Sequence, residues 1–114
     1  MPPGIAAPRS RMELYAVRQR RGGPWDWTRG LREQERFEEH GRFMEGLVDE
    51  GFIVLGGPLA GDREVLLVVD APDDQAVRSR LAEDPWIKNG MLTLERIERW
   101  TILLGARVRQ PPAG

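Results

Sequence analysis

The stretch FIVLGGPLAGDREVLLVVD, residues 52–70, decides the fold. It contains two largely apolar runs, residues 52–59 and 64–70, and the first of them ends in a Gly-Gly-Pro-Leu sequence that breaks regular structure. The tetrapeptide between the runs, Ala-Gly-Asp-Arg, favours a turn. The stretch therefore predicts a β-hairpin, and its second strand, which is apolar at every position from Val65 to Val69, is predicted to be covered on both faces.

Upstream of the hairpin, the sequence predicts a strand, a loop and a long helix. Alternating apolar and polar residues predict a strand over residues 12–18. Residues 20–30 contain glycines, a proline and two tryptophans, which favour a loop with unusually large side chains. A helical period then predicts a helix over residues 31–50, with Gly51 as the left-handed residue just past its end.

Downstream of the hairpin, the sequence predicts a second helix and a last strand. Asp73 or Asp74 caps this helix, which stops near Glu83 because a residue that precedes proline disfavours the α conformation. The last strand is predicted over residues 92–104, with a β-bulge near its middle where the apolar positions change parity.

The element order is strand, helix, strand, strand, helix, strand, which is the plan of α+β ferredoxin-like domains with two helices on one face of an antiparallel sheet. We expect this domain over residues 12–104, a flexible extension over residues 1–11 and a flexible tail over residues 105–114. The plan leaves one sheet face bare, whereas the apolar strand is predicted to be covered on both. We therefore expect that face to pack on a second copy in a homodimer.

The composition narrows the classes of function. The 114 residues carry 17 Lys and Arg against 18 Asp and Glu, so no strong positive field favours nucleic acid or a membrane surface. There is no cysteine and one histidine, so a zinc-thiolate site is excluded, a metal site would need carboxylates or a second chain, and no metal is expected. Because the sequence shows neither a signal-like apolar run nor a membrane span, we expect a cytoplasmic protein.

His40 and Asp84 are the residues that best fit catalysis. His40 falls on the apolar stripe of the first predicted helix, and Asp84 precedes Pro85 at a forced helix end. A carboxylate there can accept from one ring nitrogen and fix the tautomer, which leaves the other nitrogen for proton transfer. The alternative interpretation is a histidine satisfied in the core and an ordinary helix terminus.

Three motifs give the chain a resemblance to a known family: HxxFMxxLxxEG from His40, GGPL from Gly56, and DPW from Asp84 followed by Asn89-Gly90. In their order and spacing they resemble the YCII-related (YciI-like) family over roughly residues 12–104. The resemblance implies a dimeric α/β barrel of ferredoxin-like fold, in which His40 and Asp84 match the family's proposed active-site dyad. A few members resemble dehydrohalogenases or isomerases that act on aromatic or lactone compounds without a cofactor, so the resemblance implies an activity of this kind.

Four further residues are candidates for substrate binding: Arg36, Gly57, Pro58 and Trp86. Trp86 would wall a flat cavity, Gly57 and Pro58 would let a ligand approach the backbone, and Arg36 would meet an anionic group. Structural interpretations compete for each of them, namely a core or dimer contact, a strand terminator and a solvated helix charge. The two tryptophans of the loop either cap the cavity or fix the loop.

Two functions follow from the sequence. The first is a cofactor-independent lyase or isomerase in which His40 and Asp84 transfer a proton on a small cyclic or aromatic metabolite. The alternative is a non-catalytic dimeric module that binds a small molecule, with the His-Asp pair as a buried polar clamp. A purely structural dimer is a third possibility, for which no cavity is expected.

Overall fold

The computed structural model describes residues 13–105, so the predicted flexible segments lie almost wholly outside the described residues. The elements are β1 (Glu13–Arg21), α1 (Phe37–Asp49), β2 (Ile53–Pro58), β3 (Glu64–Ala71), α2 (Asp74–Leu81), α3 (Pro85–Lys88) and β4 (Leu92–Arg99). A single 3-10 turn, Leu31–Glu33, precedes α1.

The four strands form one antiparallel sheet in the order β2-β3-β1-β4, with β1 and β3 at its centre. This order and the βαββαβ arrangement of the main elements confirm the predicted ferredoxin-like α+β fold. The hairpin of β2 and β3 also forms as expected. The pairing of β1 with β4 shifts register between Arg18 and Gln19, which places a β-bulge in the middle of the last strand, as its change of parity predicts.

The main core lies between the sheet and the helices. Apolar side chains from both layers fill it: Tyr15, Val17, Leu47, Phe52, Ile53, Leu67, Val69, Ala71, Val77 and Leu81. Helix α2 begins as predicted at the Asp73 cap, whose carboxylate accepts from the Ala76 N–H at 2.8 Å. Its buried residues, Val77 and Leu81, have no exposed surface.

The prediction of one helix over residues 31–50 is wrong at its beginning. The chain makes a 3-10 turn, then Arg36 adopts a left-handed φ of 63°, and α1 starts only at Phe37. Tertiary hydrogen bonds override the helical period here. The buried Gln34 side chain donates to the Asp26 carbonyl at 2.8 Å, and the Glu35 carbonyl accepts from the Trp86 ring at 2.8 Å.

The two long strand predictions also change at their ends. β1 continues to Arg21 rather than ending near residue 18, because both of its neighbours extend far enough to pair with it. The last strand ends at Arg99 rather than at residue 104, because its pairing with β1 reaches only Tyr15. One more hydrogen bond, from the Trp100 N–H to the Leu14 carbonyl, holds the chain as it leaves the sheet.

The sheet face away from the helices is only partly covered within one chain. Residues 100–104 run along it and form a groove with Leu14, Val54, Leu55 and Val68. Several large apolar side chains remain in solvent there, including Leu103 and Leu104, which are 82% and 89% exposed. The second copy expected on this face stays a prediction. Within residues 13–105, the helices are too short or too polar to cross a membrane.

Candidate active site

Asp84 and Pro85 form the start of the four-residue helix α3, and each has a local role. Asp84 is the N-cap, with its carboxylate accepting from the Trp86 N–H at 2.9 Å. Pro85 occupies the first helical position, where its missing N–H costs nothing. The Asp84 side chain has no exposed surface, so its remaining hydrogen-bonding capacity must be met inside the protein.

His40 meets that need from the first turn of α1. Its Nδ1 lies 2.8 Å from Asp84 Oδ1 and 3.0 Å from Asp84 Oδ2. An ionised carboxylate only accepts hydrogen bonds, so it pairs with the tautomer of His40 that carries its proton on Nδ1. His40 and Asp84 were predicted to act as a pair, and the structure places them in direct contact. Their role in catalysis remains a prediction.

Trp86 fixes the plane of the His40 ring. The two rings stack with their centroids 3.8 Å apart and their planes 8° from parallel. Trp86 is itself held by the bond from its ring N–H to the Glu35 carbonyl and by edge contact with Trp25, at 5.1 Å between centroids. The histidine therefore has both its hydrogen bond and its ring orientation set by the Asp-Pro-Trp segment.

His40 opens onto a cavity of about 250 Å³ between α1 and the sheet. Three other predicted site residues also line it: Gly57, Pro58 and Trp86. Gly57 contributes its backbone to this wall, because it lies opposite Leu66 on β3 and a Cβ there would project from the other face of the sheet into open space. The remaining walls are mostly apolar and include Met44, Val48, Ile53, Val65, Leu67 and Leu92.

The structure does not bring Arg36 to this cavity. Its guanidinium faces solvent and its Nε donates to Glu39 Oε1 at 2.6 Å. Each partner stabilises the charge of the other, which raises the pKa of Arg36 and lowers that of Glu39. Arg36 thus takes the position of a solvated helix charge, the competing interpretation in the sequence analysis.

Sequence reasoning missed two polar residues of the cavity, Gln19 and Arg21. They follow Tyr15 and Val17 on the face of β1 that the helices cover, and their exposed fractions are only 0% and 8%. The two-residue period of a strand could have identified them, because all four residues lie on the same face of β1. The predicted strand ended at residue 18 and therefore did not include Gln19 and Arg21.

The Arg21 guanidinium is held at the rim of the cavity. Its Nη1 donates to the Asp62 carbonyl at 3.0 Å, and its Cζ lies 4.3 Å from the centre of the Trp25 ring. Burial lowers the pKa of Arg21, and the nearby Asp62 carboxylate opposes that change. Trp25 itself is buried against Trp86, whereas Trp27 is half-exposed beneath Arg63, and neither lines the His40 cavity.

This arrangement combines a carboxylate-bound imidazole, an apolar cavity and two buried polar side chains. It has the components that general acid-base chemistry on a small ligand requires. Among residues 13–105, no three or more His, Asp or Glu side chains are grouped to hold a metal ion.

The fold and the site together define a class, namely ferredoxin-like proteins with a His-Asp pair beside a cavity between helix and sheet. A model of the YCII-related domain matches residues 27–101, and the chain belongs to this family. Comparison with curated proteins gives no match.

One solved structure similar to this chain is 5-chloro-2-hydroxyhydroquinone dehydrochlorinase (TftG) from Burkholderia phenoliruptrix AC1100, in complex with 2,5-dihydroxybenzoquinone. The two chains share 24% sequence identity and superpose with a TM-score of 0.60. The match covers 77% of this chain and 93% of the other, and at that identity it supports the fold.

Proposed function

We propose that this protein is a cofactor-independent enzyme that transfers a proton on a small cyclic or aromatic compound with acidic oxygens. His40 is the proton carrier, and Asp84 orients it. The observation that carries the proposal is the 2.8 Å contact between His40 Nδ1 and Asp84, with the imidazole ring at the wall of an apolar cavity.

The proposed chemistry uses the two ring nitrogens differently. Asp84 accepts a hydrogen bond from the Nδ1–H group, so Nε2 is the basic nitrogen and can take a proton from the substrate. The buried carboxylate then stabilises the imidazolium until the proton returns to another atom of the same substrate. Stacking on Trp86 limits rotation of the ring during this exchange.

The elimination of HCl from a chlorinated hydroxyquinol shows how such a proton transfer balances in atoms and electrons. A proton moves from a ring hydroxyl to the carbon that bears chlorine, which gives a ketone tautomer. The carbon–chlorine bond then breaks, chloride leaves with the bonding pair, and a second hydroxyl loses its proton to form the quinone. The sum is loss of one proton and one chloride, so no external oxidant or reductant is required.

Chloride release from 5-chloro-2-hydroxyhydroquinone, the compound named for the dehydrochlorinase, tests the proposal. We expect the wild-type protein to release chloride above the spontaneous rate and His40→Gln to lose that activity by about 10²- to 10⁴-fold. Arg36→Gln is the matched control, because it alters a charge at the start of the same helix but outside the cavity.

Because His40 is the only histidine, its ring signals in NMR spectra also report binding without ambiguity. A shift of these signals on addition of 2,5-dihydroxybenzoquinone, together with turnover, supports the enzyme. Binding with no chloride release would contradict it and favour the non-catalytic binding module.

We also propose that two chains pair through the partly bare sheet face. Leu103 and Leu104 are more exposed than large apolar side chains usually are in a stable monomer. Leu55 lines both this groove and the His40 cavity, so a second copy seated on the groove would also cover one wall of the proposed site.

A further inference from the structure

The covered face of β1 changes character along the strand. Tyr15 and Val17 pack into the apolar core, whereas the next two residues on that face, Gln19 and Arg21, line the His40 cavity. Gln19 lies in the middle of the sheet, opposite Val65 on β3 and Leu94 on β4. The Gln19 carboxamide therefore lies between apolar neighbours on both adjacent strands and at the wall of the cavity.

The Gln19 carboxamide has no hydrogen-bond partner among residues 13–105, at either Nε2 or Oε1. Nearly all buried polar side chains in proteins are hydrogen-bonded, because an unmet donor or acceptor loses its interaction with water. Gln19 has no exposed surface and lines the cavity, so a molecule bound in the cavity would be placed to supply its missing partner. An amide presents a donor and an acceptor side by side, which suits a ligand with a hydroxyl next to a carbonyl.

Arg21 is the second polar residue of the cavity wall that is suited to bind a ligand. Its Nε is buried and has no partner in the described chain, although its Nη1 is held by the Asp62 carbonyl. The nearest carboxylate, that of Asp62, lies 3.9 Å from Nη1 and is 75% exposed, so it neutralises the guanidinium only weakly. A buried cationic N–H with such a partner favours an anionic oxygen.

The dimensions of the site favour a single ring. The cavity of about 250 Å³ is at the small end of ligand sites, and most of its walls are apolar. Two residues along one strand face are separated by about 6.6 Å, so Gln19 and Arg21 can contact different substituents of one ring.

We propose that Gln19 and Arg21 are specificity-determining residues that select a monocyclic ligand with a hydroxyl beside a carbonyl and an anionic oxygen. The Gln19 carboxamide pairs with the neighbouring oxygens, and Arg21 Nε donates to the charged one. That this ligand is then presented to His40 for proton transfer rests on the proposed function, whereas its selection by the two residues does not.

Binding of two quinones measured by calorimetry tests this assignment. The probe is 2,5-dihydroxybenzoquinone, which has acidic hydroxyls beside carbonyls, and the comparison ligand is its dimethyl ether, which has the same ring but neither the donor nor the charge. We expect the wild-type protein to prefer the dihydroxy compound by tenfold or more, roughly the effect of one charge-assisted hydrogen bond.

Substitutions at the two residues should remove this preference. Arg21→Met and Gln19→Leu are each expected to bring the ratio of the two affinities close to one, and Arg21→Lys, which keeps the charge without the Nε donor, to restore part of it. Gln19→Leu should also raise the melting temperature, because it replaces an unmet amide with an apolar group of similar size. Arg20→Met is the matched control, since Arg20 lies on the opposite face of β1 and pairs with Glu95.

Each result has a definite meaning. A wild-type protein that does not distinguish the two quinones, or a preference that survives both Arg21→Met and Gln19→Leu, overturns the assignment. The wild-type comparison needs no variant, so it remains decisive even if a substitution prevents folding. Selective binding without chloride release would refute the proposed proton transfer but not the role of Gln19 and Arg21 in selectivity. Chloride release without selective binding would refute that role but not the proton transfer.

Discussion

The space between the helices and the sheet has two ends with opposite chemistry. The core end is built mainly from apolar side chains, among them Val17, Leu47, Val77 and Leu81, together with the Tyr15 ring. The site end combines aromatic residues with buried polar ones: Gln19, Arg21, His40, Asp84 and Trp86. The same strand, β1, and the same helix, α1, contribute to both ends. One end therefore stabilises the fold, and the other holds polar groups whose burial is unfavourable unless they are paired or bind a ligand.

Hydrogen bonding divides the polar residues of the site end into two groups. Asp84 is satisfied by His40 and by the Trp86 N–H, so this buried carboxylate has partners. Gln19 has none within the described residues. The site end thus contains one group of polar residues that is complete within the chain and one that requires a ligand, and substitutions should separate their effects.

The largest effect is expected for Asp84→Asn, which keeps the shape of the side chain but removes its charge. The His40 ring would lose the partner that fixes its tautomer, so chloride release from the chlorinated hydroxyquinol should fall by about 10²-fold or more. Steady-state kinetics measure this loss, and circular dichroism checks the fold. Activity near the wild-type value would show that the pair is only structural.

Leu81→Ala tests the core end. Leu81 is fully buried, so the cavity left by truncation should lower the free energy of unfolding by about 2–5 kcal/mol. Urea denaturation measures the loss, and the affinity ratio for the two quinones should stay unchanged in the folded protein. A change in that ratio would contradict the separation of the two ends.

Leu103→Glu tests the sheet face that the helices leave open. A charge in the proposed dimer contact should raise the dissociation constant of the dimer by about tenfold or more, because a buried carboxylate there would have no partner. Analytical ultracentrifugation over a range of concentrations measures it. A wild-type chain that is monomeric at every concentration would rule the dimer out.

Trp86→Phe separates ring stacking from hydrogen bonding at the site end. Phenylalanine can still stack on His40, but the Glu35 carbonyl loses its bond from the Trp86 ring. We expect the free energy of unfolding to fall by about 1–3 kcal/mol, since the smaller ring leaves part of a buried site unfilled and the Glu35 carbonyl loses its donor. Thermal and urea unfolding measure the change. An unchanged stability would mean that water replaces the indole N–H.

Arg36→Gln should have the smallest effect. Arg36 lies outside the cavity and pairs with Glu39 in solvent, so binding of 2,5-dihydroxybenzoquinone is expected to equal that of the wild type. Without the guanidinium, the pKa of Glu39 should rise toward its ordinary value, which NMR titration of the carboxyl group can follow. Weaker binding would show that Arg36 contributes to ligand binding after all.

Sequence patterns predicted well those elements whose signals are local. The hairpin follows from two apolar runs and a turn, and the start of α2 follows from the Asp73 cap. Asp84 could be singled out because Pro85 forces a helix to end there. The motifs around His40 and Asp84 also led to the family that the domain model confirms.

Elements that depend on distant contacts were predicted less well. The start of α1 is displaced because Gln34 and Glu35 use their hydrogen-bonding groups in contacts with Asp26 and Trp86. Helical periodicity carries no information about such partners. Arg36 was predicted to meet an anionic group of the ligand, yet its guanidinium pairs with Glu39 outside the cavity.

The sequence alone thus determined the order of the elements and the ferredoxin-like plan, and it singled out His40 and Asp84, each from residues a few positions away. That these two residues meet was decided by the tertiary structure, since they are 44 positions apart. Only the tertiary structure decided that Gln19 and Arg21 face the same cavity as this pair. The length of β1 depends on pairing with β3 and β4, which are more than forty positions further along the chain. Strand pairing between such distant segments therefore decides which polar side chains are buried together.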